Sequence, residues 1–434
     1  MTIFGVSGVS GIVGGEITPE LAMNIGRAAG TLYNKVAVSR DGKRSGSMIS
    51  NALMAGLCSA GCSVTDIGIC PLPTSVRAVE EGGCGIMVTA PNNPSGFNGI
   101  RFSNHDGSSF SAKQIEELRK IFEGTSPVRR AKHDSVGIIT GRQPPIREHM
   151  KMIMNAVGDL DCPVIVDCGS DSTSLITPLL LARMGADVTT MNSNIGKKLI
   201  RRPPEPSETN LKDLMKHVRS EPGSIGIAHD GNGSRVAAID ESGRYLSGNT
   251  LITLLASYIK ADSVVVPINA TMAVDEIVKG DVIRTGVGDG RVSEAMRKNE
   301  ISFGGEPSGT FIFGNASLCP DGIYAAALIA GIASDGSLRQ EVDELPNYPV
   351  GYKEVKFNGE KEDIAKRIDV KISSTEHESL LKIDGWRVEM DDGWYLVRIS
   401  GSENKVRIIA EARDKVYMNC LLEIAEDLVA SCVR

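Results

Sequence analysis

The stretch Pro163-Val164-Ile165-Val166-Asp167-Cys168-Gly169 is an apolar run of strand length that ends in an acid, a cysteine and a glycine. Beyond it, Leu175 to Met184 reads as a helix that stops at Gly185. An apolar strand followed by a glycine-capped helix is the repeating unit of parallel or mixed sheets covered by helices.

The same alternation continues outward on both sides. Toward the N-terminus, Val36–Val38, Ser63–Ile69 and Gly85–Thr89 read as strands, and Ser47–Ala60 and Ala112–Phe122 as helices. A polar, proline-containing stretch, Thr125–Pro145, then separates this unit from the one containing Pro163. Toward the C-terminus, Ile225–Ala228 is a strand running into His229-Asp230-Gly231. Helix Leu251–Lys260, strand Ser263–Ile268, helix Thr271–Val278 and strand Ile301–Phe303 form a third unit.

After Pro346 and Pro349 the pattern changes. A strand at Lys353–Phe357 and a helix near Lys361–Ile368 precede alternating runs at Trp386–Met390, Trp394–Ile399 and Val406–Ala412, and then a closing helix. The turn signal Asp391-Asp392-Gly393 suits an antiparallel hairpin. The fold class is therefore α/β, with three mixed-sheet α/β domains and a C-terminal α+β domain. Their expected limits are 1–157, 158–247, 248–347 and 348–434, and a cleft between them is the default ligand site.

Composition agrees with a multidomain globular chain. The sequence has 434 residues, beyond the size at which single cores stop growing, and 41% hydrophobic against 23% charged residues. The net charge of −7 argues against a nucleic-acid partner, which needs clustered Lys and Arg. No apolar run approaches the length of a spanning helix, so no membrane partner is expected, and the N-terminus lacks the pattern of a signal peptide. Of the nine cysteines, Cys70, Cys84 and Cys168 adjoin apolar runs and read as small buried hydrophobes. Cys58 and Cys62 read as one helical turn apart, with no histidine pair to complete a zinc site. A reduced, cytoplasmic setting is expected. Gly5, Gly8 and Gly11 recur every three residues, but no clear strand precedes them and a dinucleotide fingerprint is set aside.

Four loops could carry chemistry, because open α/β sheets place their sites where strands end. Thr89-Ala90-Pro91-Asn92-Asn93-Pro94 reads, by itself, as a stiff structural turn. Asp230-Gly231-Asn232-Gly233-Ser234-Arg235 has the spacing of a hard-cation loop but one carboxylate only, so an Asx-turn is the simpler reading. In Gly304-Gly305-Glu306-Pro307-Ser308, the lone acid could accept sugar hydroxyls or be merely solvated. The last, Arg398-Ile399-Ser400-Gly401-Ser402 through Arg407, offers hydroxyls, a glycine turn and two guanidinium groups, which is what a phosphate monoester needs.

Taken in order, these loops resemble the α-D-phosphohexomutase superfamily, and within it the archaeal phosphoglucosamine and phosphomannomutase branch. The resemblance covers essentially the whole chain. It extends to Arg202-Pro203-Pro204-Glu205-Pro206, Val166-Asp167-Cys168-Gly169 and Leu318-Cys319-Pro320-Asp321-Gly322. It implies a four-domain, heart-shaped enzyme that interconverts hexose 1- and 6-phosphates through a phosphoserine and a bound Mg²⁺.

The departures fall on one half of that chemistry. The family loop T-A-S-H-N-P carries the phosphoserine, and here the serine position is Pro91 and the histidine position Asn92. The metal loop D-G-D-x-D-R becomes Asp230, Asn232 and Ser234, which weakens any Mg²⁺ site, with Arg235 kept. An N-terminal arginine position is Ser10, and Lys43 follows Arg40-Asp41-Gly42 where arginine is usual. The substrate side is retained: Glu306 and Ser308 match the sugar loop, and Arg398, Ser400, Gly401, Ser402 and Arg407 match the phosphate loop, with Asn404 replacing a proline. The resemblance with its departures implies a hexose phosphate-binding relative without phosphoserine chemistry. Such a protein would be a regulatory or partner subunit, beside an active mutase paralogue or as a homodimer. The alternative is an active mutase, or another sugar-phosphate enzyme, using a different acceptor such as Ser95 or Thr89.

Overall fold

The computed structural model describes residues 4–5, 8–196, 202–401 and 403–433. Four sheets follow one another along the chain. The first has seven strands, with parallel neighbours among Lys35–Arg40, Ser63–Ile69, Cys84–Val88 and Ile139–Gly141 and antiparallel ones toward Phe97–Asn104 and Gly8–Ile12. The second has five strands and places Pro163–Asp167 between two parallel neighbours, Ile225–His229 and Asp187–Met191. The third has four, parallel except where Thr310–Phe313 turns back on Phe303–Glu306. All pairings in the fourth, five-stranded sheet are antiparallel. Three mixed α/β sheets and one α+β unit are thus present.

Several expectations change in detail. Phe4–Gly5 and Gly8–Ile12 are strands, although no strand was expected there. Gly8 lies at φ 134°, and a Cβ on it would meet the Ile100 carbonyl oxygen at 2.1 Å, so this glycine serves close strand packing. The segment at Leu175 is broken. A 3₁₀ turn over Ser172–Leu175 precedes the α-helix Thr177–Met184, in which Pro178 occupies the tolerated first turn. Gly185 ends it in the left-handed conformation, as read. Cys58 lies in the helix Gly46–Ser59, but Cys62 lies beyond it, past Gly61 at φ 81°. Strand Ile301–Phe303 is shifted to Phe303–Glu306, so Glu306 belongs to the strand end.

The helix Gly322–Asp335 gave no periodic signal because every residue from Gly322 to Ile332 is buried. It runs through the largest core cluster, which joins apolar residues of the second and third sheets. Asp321 caps it by accepting from the Ile323 and Tyr324 N–H groups at 3.1 and 2.9 Å. The fourth unit docks through Arg387, which is fully buried against the Trp394 ring. Its Nη1 donates to the carbonyls of Ile268 and Ala270, both at 2.8 Å, and burial pulls its pKa down to about 10. Trp394 Nε1 and the Met272 N–H both donate to Glu411, at 2.7 and 2.6 Å. This joint suspends the fourth sheet beside the third.

Candidate active site

Pro91 and Asn92 lie on the turn that follows the strand Cys84–Val88. The Asn93 N–H donates to the Ala90 carbonyl at 3.2 Å, and Lys43 Nζ donates to the carbonyls of Ala90, Asn93 and Phe97 at 2.5, 3.1 and 3.2 Å. One ammonium group therefore holds the loop at three points. Burial lowers the Lys43 pKa, while Asp41 and Asp171 oppose the shift. Neither neighbouring hydroxyl is placed with Pro91. Thr89 is buried and donates to Asp41 at 2.8 Å, and Ser95 is exposed in the turn closed by Phe97 N–H on the Pro94 carbonyl. Ser10 pairs with Gly99 between strands and is exposed.

The loop after Ile225–His229 folds on itself. Ser234 Oγ donates to Asp230 Oδ2 at 3.0 Å, the Arg235 N–H donates to Asp230 Oδ1 at 3.1 Å, and the Ser234 N–H donates to Asn232 Oδ1 at 3.0 Å. Asn232 Nδ2 is buried and finds no acceptor among the described residues. Both Asp230 oxygens thus accept hydrogen bonds within the loop, and burial raises the Asp230 pKa. No cluster of three or more His, Cys, Asp or Glu residues suited to a metal occurs among the described residues. His229 is a buried, hydrogen-bonded core histidine, linked to the Thr177 hydroxyl and the Arg235 carbonyl at 3.1 Å each and pushed down to about 4 by burial.

Glu306 is not the solvated loop acid that a Gly-rich turn suggests. It is 7% exposed, accepts the Gly288 N–H at 2.8 Å, and is pushed up to about 7 by burial, with the nearby Asp289 adding to the shift. Ser308 and Thr310 share a hydroxyl hydrogen bond at 3.0 Å.

Arg398 and Arg407 stand directly opposite each other on the antiparallel strands Gly393–Ile399 and Lys405–Ala412. Opposed residues share a face, so the hairpin presents two guanidinium groups together. Arg398 Nη2 pairs with Asp384 at 2.9 Å, and its buried Nε has no acceptor among the described residues. Arg407 meets Glu354 at 3.5 Å and Glu403 at 3.4 Å. The Glu403 N–H donates to Ser400 Oγ at 3.3 Å, and Lys361 Nζ donates to the Gly401 carbonyl at 2.7 Å. Ser402 lies outside the described residues.

These loops converge. Pro91, Asn92, Ser234, Arg235, Glu306 and Ser308 line one cavity of about 210 Å³. Arg398 and Arg407 line another of about 250 Å³, and Asn269 and Val287 belong to both, so the two form one cleft. Asp230 and Asn232 lie behind Ser234, and Ser400 and Gly401 do not reach the lining. A larger cavity, about 580 Å³, lies beyond Ser109 and Gly290 and contains none of these residues.

Models of the phosphoglucomutase/phosphomannomutase domains match in chain order: domain I over residues 1–129, domain II over 145–243, domain III over 247–348 and the C-terminal domain over 353–427. A protein of Methanocella arvoryzae named "Probable phosphoglucosamine mutase" is 40% identical over 100% of this chain and 99% of its own length. The chain belongs to the phosphoglucomutase/phosphomannomutase family.

Another relative, the phosphoglucosamine mutase of Methanococcus aeolicus, is 34% identical over 97% of both chains. Among solved structures, a phosphoglucomutase/phosphomannomutase family protein of Burkholderia thailandensis superposes with a TM-score of 0.88 at 23% identity, covering 99% of this chain and 97% of that one. The Aspergillus fumigatus N-acetylphosphoglucosamine mutase, solved with GlcNAc-6P and magnesium, gives a TM-score of 0.62 at 14% identity, over 100% and 96% of the two chains. These two likenesses carry the family architecture.

Sequence reading of this family member missed Arg101, Asp289 and Asn269, which also line the cleft. Arg101 sits mid-strand in Phe97–Asn104 and forms a close ion pair with Asp289. A charged residue in an otherwise buried antiparallel strand was the available signal. Asp289 and Asn269 carried none, because their placement depends on how the third unit packs. The connecting motifs prove structural: Arg202 pairs with the buried Asp167 at 2.8 Å and donates to the His229 carbonyl at 2.7 Å, tying its loop to the second sheet.

Proposed function

We propose that this family member binds a hexose phosphate in the interdomain cleft but does not run phosphoserine mutase chemistry, and that it serves as a regulatory or partner subunit. The observation that carries this reading is Pro91. It occupies the position of the family's phosphoserine, has no heteroatom to phosphorylate, and is held in place through the carbonyl groups that Lys43 and Gly231 engage.

Loss of a covalent nucleophile costs on the order of 10⁶ in rate where it has been measured. Phosphate monoesters react extremely slowly without catalysis, so little turnover survives. The donor set at Asp230, Asn232 and Ser234 carries a single carboxylate, so it would hold Mg²⁺ more weakly than a loop with three acids, and the charge neutralisation that Mg²⁺ would supply is reduced with it. On the binding side, Arg398 and Arg407 take the phosphate, and Glu306 accepts from sugar hydroxyls with Ser308 beside it.

A second reading is an active hexose phosphate mutase using another acceptor; the relatives' names, phosphoglucosamine mutase, accord with mutase activity and are silent on the acceptor. ³¹P NMR of the purified protein with Mg²⁺, a catalytic amount of hexose 1,6-bisphosphate and glucosamine, mannose or glucose 1-phosphate separates the two. The proposal expects no 6-phosphate signal and a 1-phosphate resonance broadened by binding. A 6-phosphate signal growing at enzyme-like rates overturns it, and phosphopeptide mapping at Ser95 and Thr89 then locates the acceptor.

A further inference from the structure

A cavity of about 370 Å³ adjoins the Arg398 end of the cleft, and Tyr352 belongs to both linings. It is bounded by the start of the helix Gly248–Tyr258, by Thr271 and Ala273, and by the connection from Pro346 to Val350. The one acid in its lining is Glu411, which stands opposite Val350 in the fourth sheet and is 1% exposed. Glu411 Oε2 accepts from both Trp394 Nε1 and the Met272 N–H. Its Oε1 takes no hydrogen bond, and neither oxygen meets a cation, among the described residues. The cations at hand answer other acids. Arg244, in the lining, pairs with Asp240 at 2.6 Å and Asp343 at 2.7 Å. Arg413, over the Tyr348 ring, pairs with Glu276 at 3.0 Å and Asp392 at 3.3 Å. Buried carboxylates are ordinarily matched by a positive charge, so this one leaves a charge to be answered from the cavity.

Tyr348 and Tyr352 share that lining, and Tyr352 is 68% exposed, so its ring is open to a ligand. Aromatic ring faces attract cations, organic ammonium groups among them. A metal ion is the poorer fit, because a hard cation takes several oxygen ligands and the lining holds a single carboxylate. We infer that this cavity is a second binding site, which takes a small organic ammonium ion against Glu411 and the Tyr348 and Tyr352 rings. The inference is independent of the hexose phosphate-binding reading, since Glu306, Ser308, Arg398 and Arg407 are all outside this lining.

¹⁹F NMR of the full chain labelled with 3-fluorotyrosine tests it, with the two resonances assigned from Tyr348→Phe and Tyr352→Phe. The probes are choline and 3,3-dimethylbutan-1-ol, its uncharged carbon analogue. The expected result is a saturable shift of both resonances by choline, and affinity at least ~10-fold weaker for the alcohol. Glu411→Gln keeps an acceptor for Trp394 and Met272 and removes the charge, so choline affinity is expected to fall at least ~10-fold. Tyr352→Leu, at an exposed position and read on the Tyr348 resonance, is expected to weaken choline as well, and it carries the test if Glu411→Gln fails to fold. No saturable shift with choline, equal affinity for the alcohol, or full choline affinity in either folded variant overturns the inference and leaves the hexose phosphate reading untouched.

Discussion

The carbonyl oxygen of Pro91 accepts a hydrogen bond from the Gly231 N–H at 3.4 Å, so the turn at Pro91 and the loop Asp230 to Arg235 are joined backbone to backbone. A Cβ on Gly231 would approach the same carbonyl at 3.3 Å and the Asp171 carboxylate at 3.0 Å, which explains a glycine there. The two loops form one packed unit, so a substitution at Pro91 alone leaves the Asp230 loop as it is.

Pro91→Ser is therefore expected to leave mutase turnover far below ordinary values. The neighbouring loop would still offer Asp230 as its single carboxylate, so the Lewis-acid contribution to charge stabilisation, worth several kcal/mol at a full site, would stay reduced. A ³¹P assay with Mg²⁺ and bisphosphate primer should show rates at least ~10²-fold under the usual 1–10³ s⁻¹ range. Ordinary turnover in that single variant would show that the metal loop works as it stands.

Arg398→Ala and Arg407→Ala should each weaken hexose phosphate binding by about 1–3 kcal/mol, as charge-assisted bonds do. Arg398 should cost more. Its Nε is buried, whereas the Arg407 side chain is 47% exposed and shared between Glu354 and Glu403. Titration calorimetry on the two variants gives the order directly.

Glu306 makes stability depend on pH. Its folded-state value near 7 lies above the ordinary carboxylate value of 4.5, so the folded chain holds a proton that the unfolded chain releases. Stability from this group is fully present below about 4.5, declines as pH rises, and levels off above about 7. Glu306→Gln keeps an acceptor for the Gly288 N–H and removes the penalty of ionisation. Urea melts should show little difference from the parent at pH 5 and a gain of up to a few kcal/mol at pH 8.

Arg387→Met tests the joint beneath the phosphate loop. Loss of the guanidinium leaves the Ile268 carbonyl without its donor and Ala270 with only the Arg284 Nη1 contact at 3.4 Å, and it removes the stacking on Trp394. Leaving a buried acceptor unsatisfied in this way is expected to destabilise by about 1–3 kcal/mol. Hydrogen exchange should increase first in Lys405–Ala412 and Gly393–Ile399, where the fourth unit abuts the third.

Strands with unbroken apolar runs were legible from sequence because burial on both faces leaves no polar position to confuse them. Pro163–Asp167 has the boundaries read from sequence; Ser63–Ile69 has them too, although Thr65, Asp66 and Gly68 interrupt its apolar run and only Val64 and Ile67 are buried. Where period and cap agree, helices are equally clear, as in Ala112–Phe122 with its Ser111–Gln114 capping box. Gly322–Asp335 escaped because a helix buried all round has no polar face to set a period.

The sequence by itself determined the four-unit α/β plan, the family, and the chemical identity of Pro91, Asn232 and Ser234, since covalent structure decides whether an atom can carry a phosphoryl group. Only the tertiary structure decided the state of the groups that remain. Glu306 became a buried acid near neutrality because Asp289 and the third sheet enclose it. Arg101, unremarked in sequence, joined the cleft because its strand carries it to Asp289. Solvent exclusion and the direction of a hydrogen bond depend on residues far apart in the chain, and no local pattern encodes them.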